Sequence, residues 1–235
     1  MVGPRVVSLV PSATETLLAL GADVVACTRF CEQPGLVHVG GTKNPDVPAI
    51  VALRPDLVVV DEEENRREDA EELAAAGLDL LVLAVRSVEG ALDAVAQLAA
   101  AVERPAPARS LPPRRELTTR ALVPIWRRPW MSINADTYGA SVLAWSGIEL
   151  VTAVAPERYP TVELAALGPV ERVLVPSEPY SFSDAHVAEL QRAFPAAAVE
   201  RIDGQDLFWW GWRTPAALRR LSRRTLTIGG AAPSD

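Results

Sequence analysis

The stretch Arg5-Val-Val-Ser-Leu-Val10, Pro11-Ser-Ala-Thr14, Glu15–Leu20, Gly21 decides the fold: an apolar strand, a turn of cap-type hydroxyls, and a short helix ended by glycine. The same alternation continues outward from it. Val24–Cys27 reads as a second strand, Val47–Leu53 as a helix, and Leu57–Val60 as a buried strand introduced by Pro55. Glu63–Ala76 reads as a charged helix closed by Gly77, and Leu78–Val85 as another apolar strand. Strand–helix–strand units in succession imply a parallel sheet with helices on both faces.

Ser87 caps a longer helix whose Val88, Ala91, Leu92, Val95, Leu98, Ala99 and Val102 form one stripe. The four prolines between Arg104 and Pro113 cannot continue it. Beyond them the alternation restarts. Strands are expected at Ala121–Ile125, Glu149–Val151, Arg172–Val175 and Ala198–Ile202. Helices are expected at Tyr138–Trp145, Val162–Leu167, Asp184–Ala193 and Pro215–Arg223. The fold class is therefore α/β, with two doubly wound, Rossmann-like lobes joined by a single rigid bridging helix. The expected division is an N-terminal lobe over 1–86, the bridging helix and Pro-rich connection over 87–116, and a C-terminal lobe over 117–235. Ligands of such sheets sit outside the carboxyl ends of the strands, so two lobes would grip one ligand between them.

Composition narrows the function. The 235 residues carry a formal charge of −7, which argues against a nucleic-acid partner. No apolar run is long enough for membrane insertion. The first strand follows Met1 so closely that no signal peptide is expected in the sequence as written. The expected location is cytoplasmic as written, and periplasmic or cell-surface if the N-terminus is truncated. Cys27 and Cys31, the only two cysteines, are four apart and could form a disulfide, but Cys27 ends an expected buried strand, so reduced thiols are expected.

All six tryptophans lie in the second half. Trp126 and Trp130 follow the strand ending at Ile125, and Trp209, Trp210 and Trp212 follow the one ending at Ile202. Flat aromatic surface at strand ends suits stacking on a corrin, porphyrin or catecholate, with Arg213 available to a carboxylate or phosphate. The alternative is that these rings close the cores of the lobes; Trp145 reads as core. On the first lobe the corresponding edge holds Pro11 to Thr14, Arg29 to Cys31 and Gly41 to Lys43, so Ser12 and Arg29 enter the candidate set. Helix capping explains Pro11–Thr14 equally. Gly40-Gly41-Thr42-Lys43 lacks the spacing of a phosphate loop, and a nucleotide is rejected. Cys31 is a candidate ligand for a haem iron or a soft metal, or a small packed residue. Asp203, Asp206 and Glu178 are expected in loops, touching a polar ligand or capping helices. Asp136 reads as a cap, and His186 with Glu189 as a solvated helix face.

Taken in order, Val7–Glu15, Thr28-Arg-Phe-Cys31, Val39-Gly-Gly-Thr-Lys-Asn-Pro45 and Leu53-Arg-Pro-Asp-Leu-Val58 resemble the class III solute-binding proteins. These helical-backbone metal receptors serve ABC importers of cobalamin, haem and iron–siderophore complexes. Ile125–Met131, Ser177-Glu-Pro-Tyr-Ser-Phe182 and Asp203–Arg213 continue the match to a signal-less branch. The resemblance implies two α/β lobes on one rigid helix and adds Tyr180 to the ligand-contacting set with Glu178. It further implies an exposed glutamate on each lobe for docking an ABC permease, for which Glu62 to Glu64 and Glu178 are candidates. Where relatives have Cys-x-His-Pro this chain reads Cys31-Glu-Gln-Pro34, which weakens any metal site there. The expectation is a non-enzymatic binding protein for cobalamin, haem or a ferric siderophore, with no intrinsic cofactor. The alternatives are a cytoplasmic chelatase-like or corrinoid-processing enzyme, whose only acid–base pair is His186–Glu189, and a sensor or carrier derived from a transport receptor.

Overall fold

The computed structural model describes residues 3–108 and 110–226; residue 109 of the proline-rich stretch lies outside the described residues. The chain forms two compact units, one of residues 3–85, 89–108 and Trp210–Arg213, the other of residues 86–88, 110–209 and 214–226. Each is an α/β unit around a parallel sheet.

The first unit begins with β1 (Arg5–Ser8), α1 (Pro11–Ala19), β2 (Asp23–Cys27) and β3 (Val37–His38). A two-stranded hairpin of β4 (Gly40–Gly41) and β5 (Asn44–Pro45) follows, then α2 (Val47–Leu53) and β6 (Leu57–Asp61). α3 (Arg67–Ala75), β7 (Leu80–Leu83) and α4 (Val88–Ala101) complete the series. The sheet order is β3-β2-β1-β6-β7, every pair parallel. Val7, Leu9, Val58, Val60, Ile50 and Leu73 form its core. Each such aliphatic side chain, fully buried, contributes about 1.5–3 kcal/mol.

Two local expectations change. α1 starts at Pro11, so the expected turn is the helix's own first turn. Proline at the first helical position has its φ set for a helix and no N–H to leave unbonded. α3 starts four residues later than expected. Residues 61–66 are held as a turn by side chains, since Asn65 Oδ1 accepts the Asp61 amide at 2.9 Å and Asp61 Oδ1 accepts the Glu63 amide at 2.9 Å.

The second unit contains β8 (Thr119–Leu122), α5 (Tyr138–Trp145), β9 (Ile148–Leu150), β10 (Arg172–Pro176) and α6 (Asp184–Ala193). It ends with β11 (Ala198–Ile202), α7 (Gly204–Phe208) and α8 (Thr214–Leu226). The sheet order is β11-β10-β8-β9, again all parallel. The helix expected over Val162–Leu167 is a single 3₁₀ turn, Leu164–Ala166. α7 replaces an expected loop: Asp203 caps it by accepting the Gln205 amide at 2.9 Å, which places Asp206 in its first turn. Thr137 caps α5, not Asp136, which pairs with Arg158.

Candidate functional sites at the two sheet switch points

In the second unit the chain leaves β8 toward β9 on one side and returns to build β10 and β11 on the other. The order reverses between β8 and β10, and a crevice opens at the carboxyl ends of such a strand pair. The chain leaving β8 brings Trp126 there, and the chain leaving β10 brings Glu178 and Tyr180. Trp126 is 47% exposed, and its ring meets Tyr180 edge-on, 4.9 Å between centroids at 70°. Tyr180 lies 4.8 Å from Phe182, which stacks on Trp130 at 5.9 Å and 11°. Below them Leu122, Val173, Val175 and Leu190 form the core.

The rings thus grade from open to buried. Trp130 is the buried end, 8% exposed, and is a support for the wall and not an open surface, which corrects its expected place on the edge. Its Nε1 donates to Glu189 at 3.2 Å, and the Arg127 guanidinium lies 4.8 Å over its ring while donating to both Glu189 oxygens. Burial works against the charge of Glu189. The bonds from Arg127 and Trp130 outweigh it and hold the carboxyl below its ordinary range. His186 Nδ1 accepts the Ser183 amide at 3.2 Å and its ring sits 5.8 Å from Tyr180. The expected solvated face of His186 and Glu189 is therefore part of the aromatic support. Arg127 was missed in the sequence, although Arg127-Arg-Pro-Trp130 placed a cation three residues before the ring it covers.

In the first unit the reversal falls between β1 and β6. Asn65 ties this edge together: its Nδ2 donates to the Leu9 carbonyl at 3.2 Å and to the Thr42 carbonyl at 2.8 Å. It was not singled out in the sequence, where it stands inside a charged run with no periodic signal. Asp61 ends β6 there, buried, with Oδ2 lacking any hydrogen-bond partner. Burial pushes its carboxyl up to about 6, the Glu63 amide pulls against this, and the neighbouring Glu64 and Glu63 add to it. A groove of about 560 Å³ runs from Asp61 and Glu62 along Arg67, Ala70 and Ala74 of α3, facing Leu80 and Val82 of β7. The glycine pair expected at this edge is the β4–β5 hairpin, where Gly40 takes φ +87° and an added Cβ would meet the Asn44 carbonyl at 2.6 Å.

The remaining candidates divide. Ser12 is buried in the first turn of α1, where its carbonyl accepts from Thr16 Oγ1 at 2.9 Å. Thr14 Oγ1 lies 2.9 Å from the Val10 carbonyl, so these hydroxyls face inward and do not form an open anion site. Arg29 is exposed, its guanidinium 4.8 Å over Phe30. Asp206 is buried and ion-paired with Arg220 of α8. Trp209 closes α7, its amide donating to the Gln205 carbonyl at 3.0 Å. Trp210 is buried and Trp212 is 46% exposed, both in the first unit. There Trp212 N donates to Thr16 Oγ1 at 3.0 Å. Arg213, expected free for a ligand anion, already holds the Glu15 carboxylate in two bonds of 2.7 and 2.9 Å. Among the described residues no three His, Cys, Asp or Glu side chains gather as a metal set. Cys31 is buried, with Thr14 and Thr28 hydroxyls each 3.2 Å from its sulfur.

The doubly wound units with their parallel sheets have counterparts among known proteins. Residues 6–113 match the family described as periplasmic binding protein. The vitamin B12-binding protein of Salmonella choleraesuis is 30% identical over 101 residues, covering 41% of this chain and 38% of that protein. The vitamin B12-binding protein of Yersinia pestis is 35% identical over 82 residues, covering 32% and 29%. The matches therefore span less than two fifths of these curated relatives' length. Among solved structures, the periplasmic vitamin B12 binding protein of Vibrio cholerae has a TM-score of 0.77 at 17% identity, covering 97% of this chain and 99% of that one. A periplasmic haem-binding protein from Pseudomonas aeruginosa has a TM-score of 0.73 at 22% identity, covering 99% and 95%. At these identities the likeness is one of fold. The resemblance to class III solute-binding proteins stands, in sequence over the first half and in fold over nearly all of the chain. No helix among the described residues is long and apolar enough to cross a membrane.

Proposed function

We propose that this chain is a non-enzymatic receptor for a metal-containing macrocycle or chelate: cobalamin, haem or a ferric siderophore. The observation that carries the reading is the Trp126–Tyr180 pair at the switch point of the second sheet, backed by Phe182, Trp130 and the Arg127–Glu189 pair. An exposed ring held at a fixed angle by a half-buried ring with buried rings behind it is preorganised, so little order is lost when a flat ligand stacks on it. The vitamin B12- and haem-binding relatives support the same ligand class. The enzyme alternative loses its acid–base pair, because His186 and Glu189 are engaged with Ser183, Arg127 and Trp130. No intrinsic cofactor belongs to this reading, and its natural partner is an ABC permease.

Titration of purified protein with cobalamin, haemin and ferric siderophores, followed by tryptophan fluorescence, tests it. One of the three is expected to quench and saturate. Trp126→Ala should weaken that binding by about 1.5–3 kcal/mol, roughly 10- to 150-fold in Kd, with the fold intact by circular dichroism. No response to any of the three ligands overturns the reading. Fractionation of the native source separates an exported receptor from a cytoplasmic carrier.

A further inference from the structure

The run Ser183-Asp-Ala-His186 opens α6 with the spacing of a capping box, but histidine stands where glutamate or glutamine is usual. The returning bond of the box is made: the Ser183 amide donates to His186 Nδ1 at 3.2 Å. A backbone N–H can only donate, so Nδ1 presents a lone pair and the proton of the neutral ring sits on Nε2. Imidazole is the side chain that ordinarily gains its charge between about pH 5 and 8, and here the added proton goes to the nitrogen that accepts. A glutamine at this position would accept the same amide across that whole range.

The ring is also part of the aromatic wall. Half-buried, it lies 5.8 Å from Tyr180, 6.1 Å from Phe182 and 6.4 Å from Trp130, edge-on to the last two. Tyr180 in turn meets the exposed Trp126. The charged groups around this corner come from three parts of the chain. Asp184 and Glu189 share α6 with His186, Arg127 follows β8, and Arg201 stands on β11. Arg127 holds both oxygens of Glu189, and Arg201 donates to Asp184 Oδ1 and to the Phe182 carbonyl, each at 2.8 Å. Neither carboxylate is therefore an unshared anion for a protonated ring, and the amino end of a helix repels a cation.

We propose that His186 is a proton-sensitive positioning residue of the Trp126–Tyr180 face, fixing it through the Ser183 bond when neutral and releasing it when protonated. Protonation sets Nδ1–H against the Ser183 N–H, two donors meet, and the bond is lost. The ring then leaves its place beside Tyr180, and the exposed Trp126 loses the backing that fixes its angle. The support is present at neutral pH and disappears as pH falls. The inference deepens the receptor reading and rests on it for the purpose of the face, whereas the switch itself operates without a ligand.

The test accordingly uses the ligand-free chain, so its outcome is separate from that of the ligand titrations. His38→Gln removes the only other imidazole, which lies in the first unit, and leaves one ring titration to follow. Proton–nitrogen correlation spectra recorded between about pH 8 and 5 track that ring, the Ser183 amide and the Trp126 indole, the last assigned with Trp126→Phe. The Ser183 amide and the Trp126 indole should both shift with the midpoint of the ring. His186→Gln, added to the same background, should abolish both steps and hold the neutral-pH positions, and His186→Ala should show the acid positions throughout. A ring that titrates while the Ser183 amide or the Trp126 indole stays still overturns the proposal. The same Trp126 step in His186→Gln overturns it as well.

Discussion

Asp61 shows how much one side chain at a strand end can carry. Its pKa is raised from 3.8 to about 6, chiefly by burial, so the folded chain holds the proton more tightly than the unfolded chain. The stabilising contribution is complete below about 3.8 and is lost as pH rises through 6. At neutral pH the ionised carboxylate therefore costs the fold something on the order of 1–3 kcal/mol. Asp61→Asn keeps an oxygen for the Glu63 amide and removes the charge. Its urea midpoint should rise at pH 7.5 and be nearly unchanged at pH 4; an equal gain at both would refute the charge argument. The strand Leu57–Val60 was legible from four consecutive apolar residues, but its terminal carboxylate was not. Asn65, which holds the turn after Asp61, is itself fixed by the distant Thr42 carbonyl, a contact that no local pattern announces.

At the level of elements, hydrophobic periodicity was a good guide where a helix packs one face and a poor one where capping decides. The ranges of α2, α5 and α6 follow from the sequence, and the stripe of α4 is buried at Val88, Ala91, Val95, Leu98, Ala99 and Val102. α7 was missed because five residues carry too little periodicity, although Asp203 before Gly204-Gln-Asp is a cap signal. This short helix is tied to α8 by Arg220, about half exposed, on the nearly buried Asp206. Arg220→Ala leaves a buried carboxylate without its partner and should destabilise the second unit by about 1–3 kcal/mol in urea unfolding. Adding Asp206→Asn should restore part of the loss, whereas an independent, additive loss would show that the pair is not coupled.

The molecule as a whole repeats one plan twice, and the repetition was readable because each half restarts the same strand–helix alternation. What sequence order hid is the membership of Trp210–Arg213, which complete the first unit although the chain on either side belongs to the second. Gly211 takes φ +106° there, and a Cβ would meet Thr16 Oγ1 at 2.2 Å. Trp212 bonds Thr16, and Arg213 pairs with Glu15. A fragment of residues 1–109 lacks all of these contacts. Circular dichroism in urea should find it less stable than the first transition of the full chain, and equal midpoints would refute the contribution of 210–213. The same return of the chain bears on biosynthesis. Domains emerging from a ribosome ordinarily fold in the order in which they are translated. Here the leading unit still lacks two tryptophans and an arginine when the whole trailing sheet has been made, so its final stability waits until translation has passed residue 213.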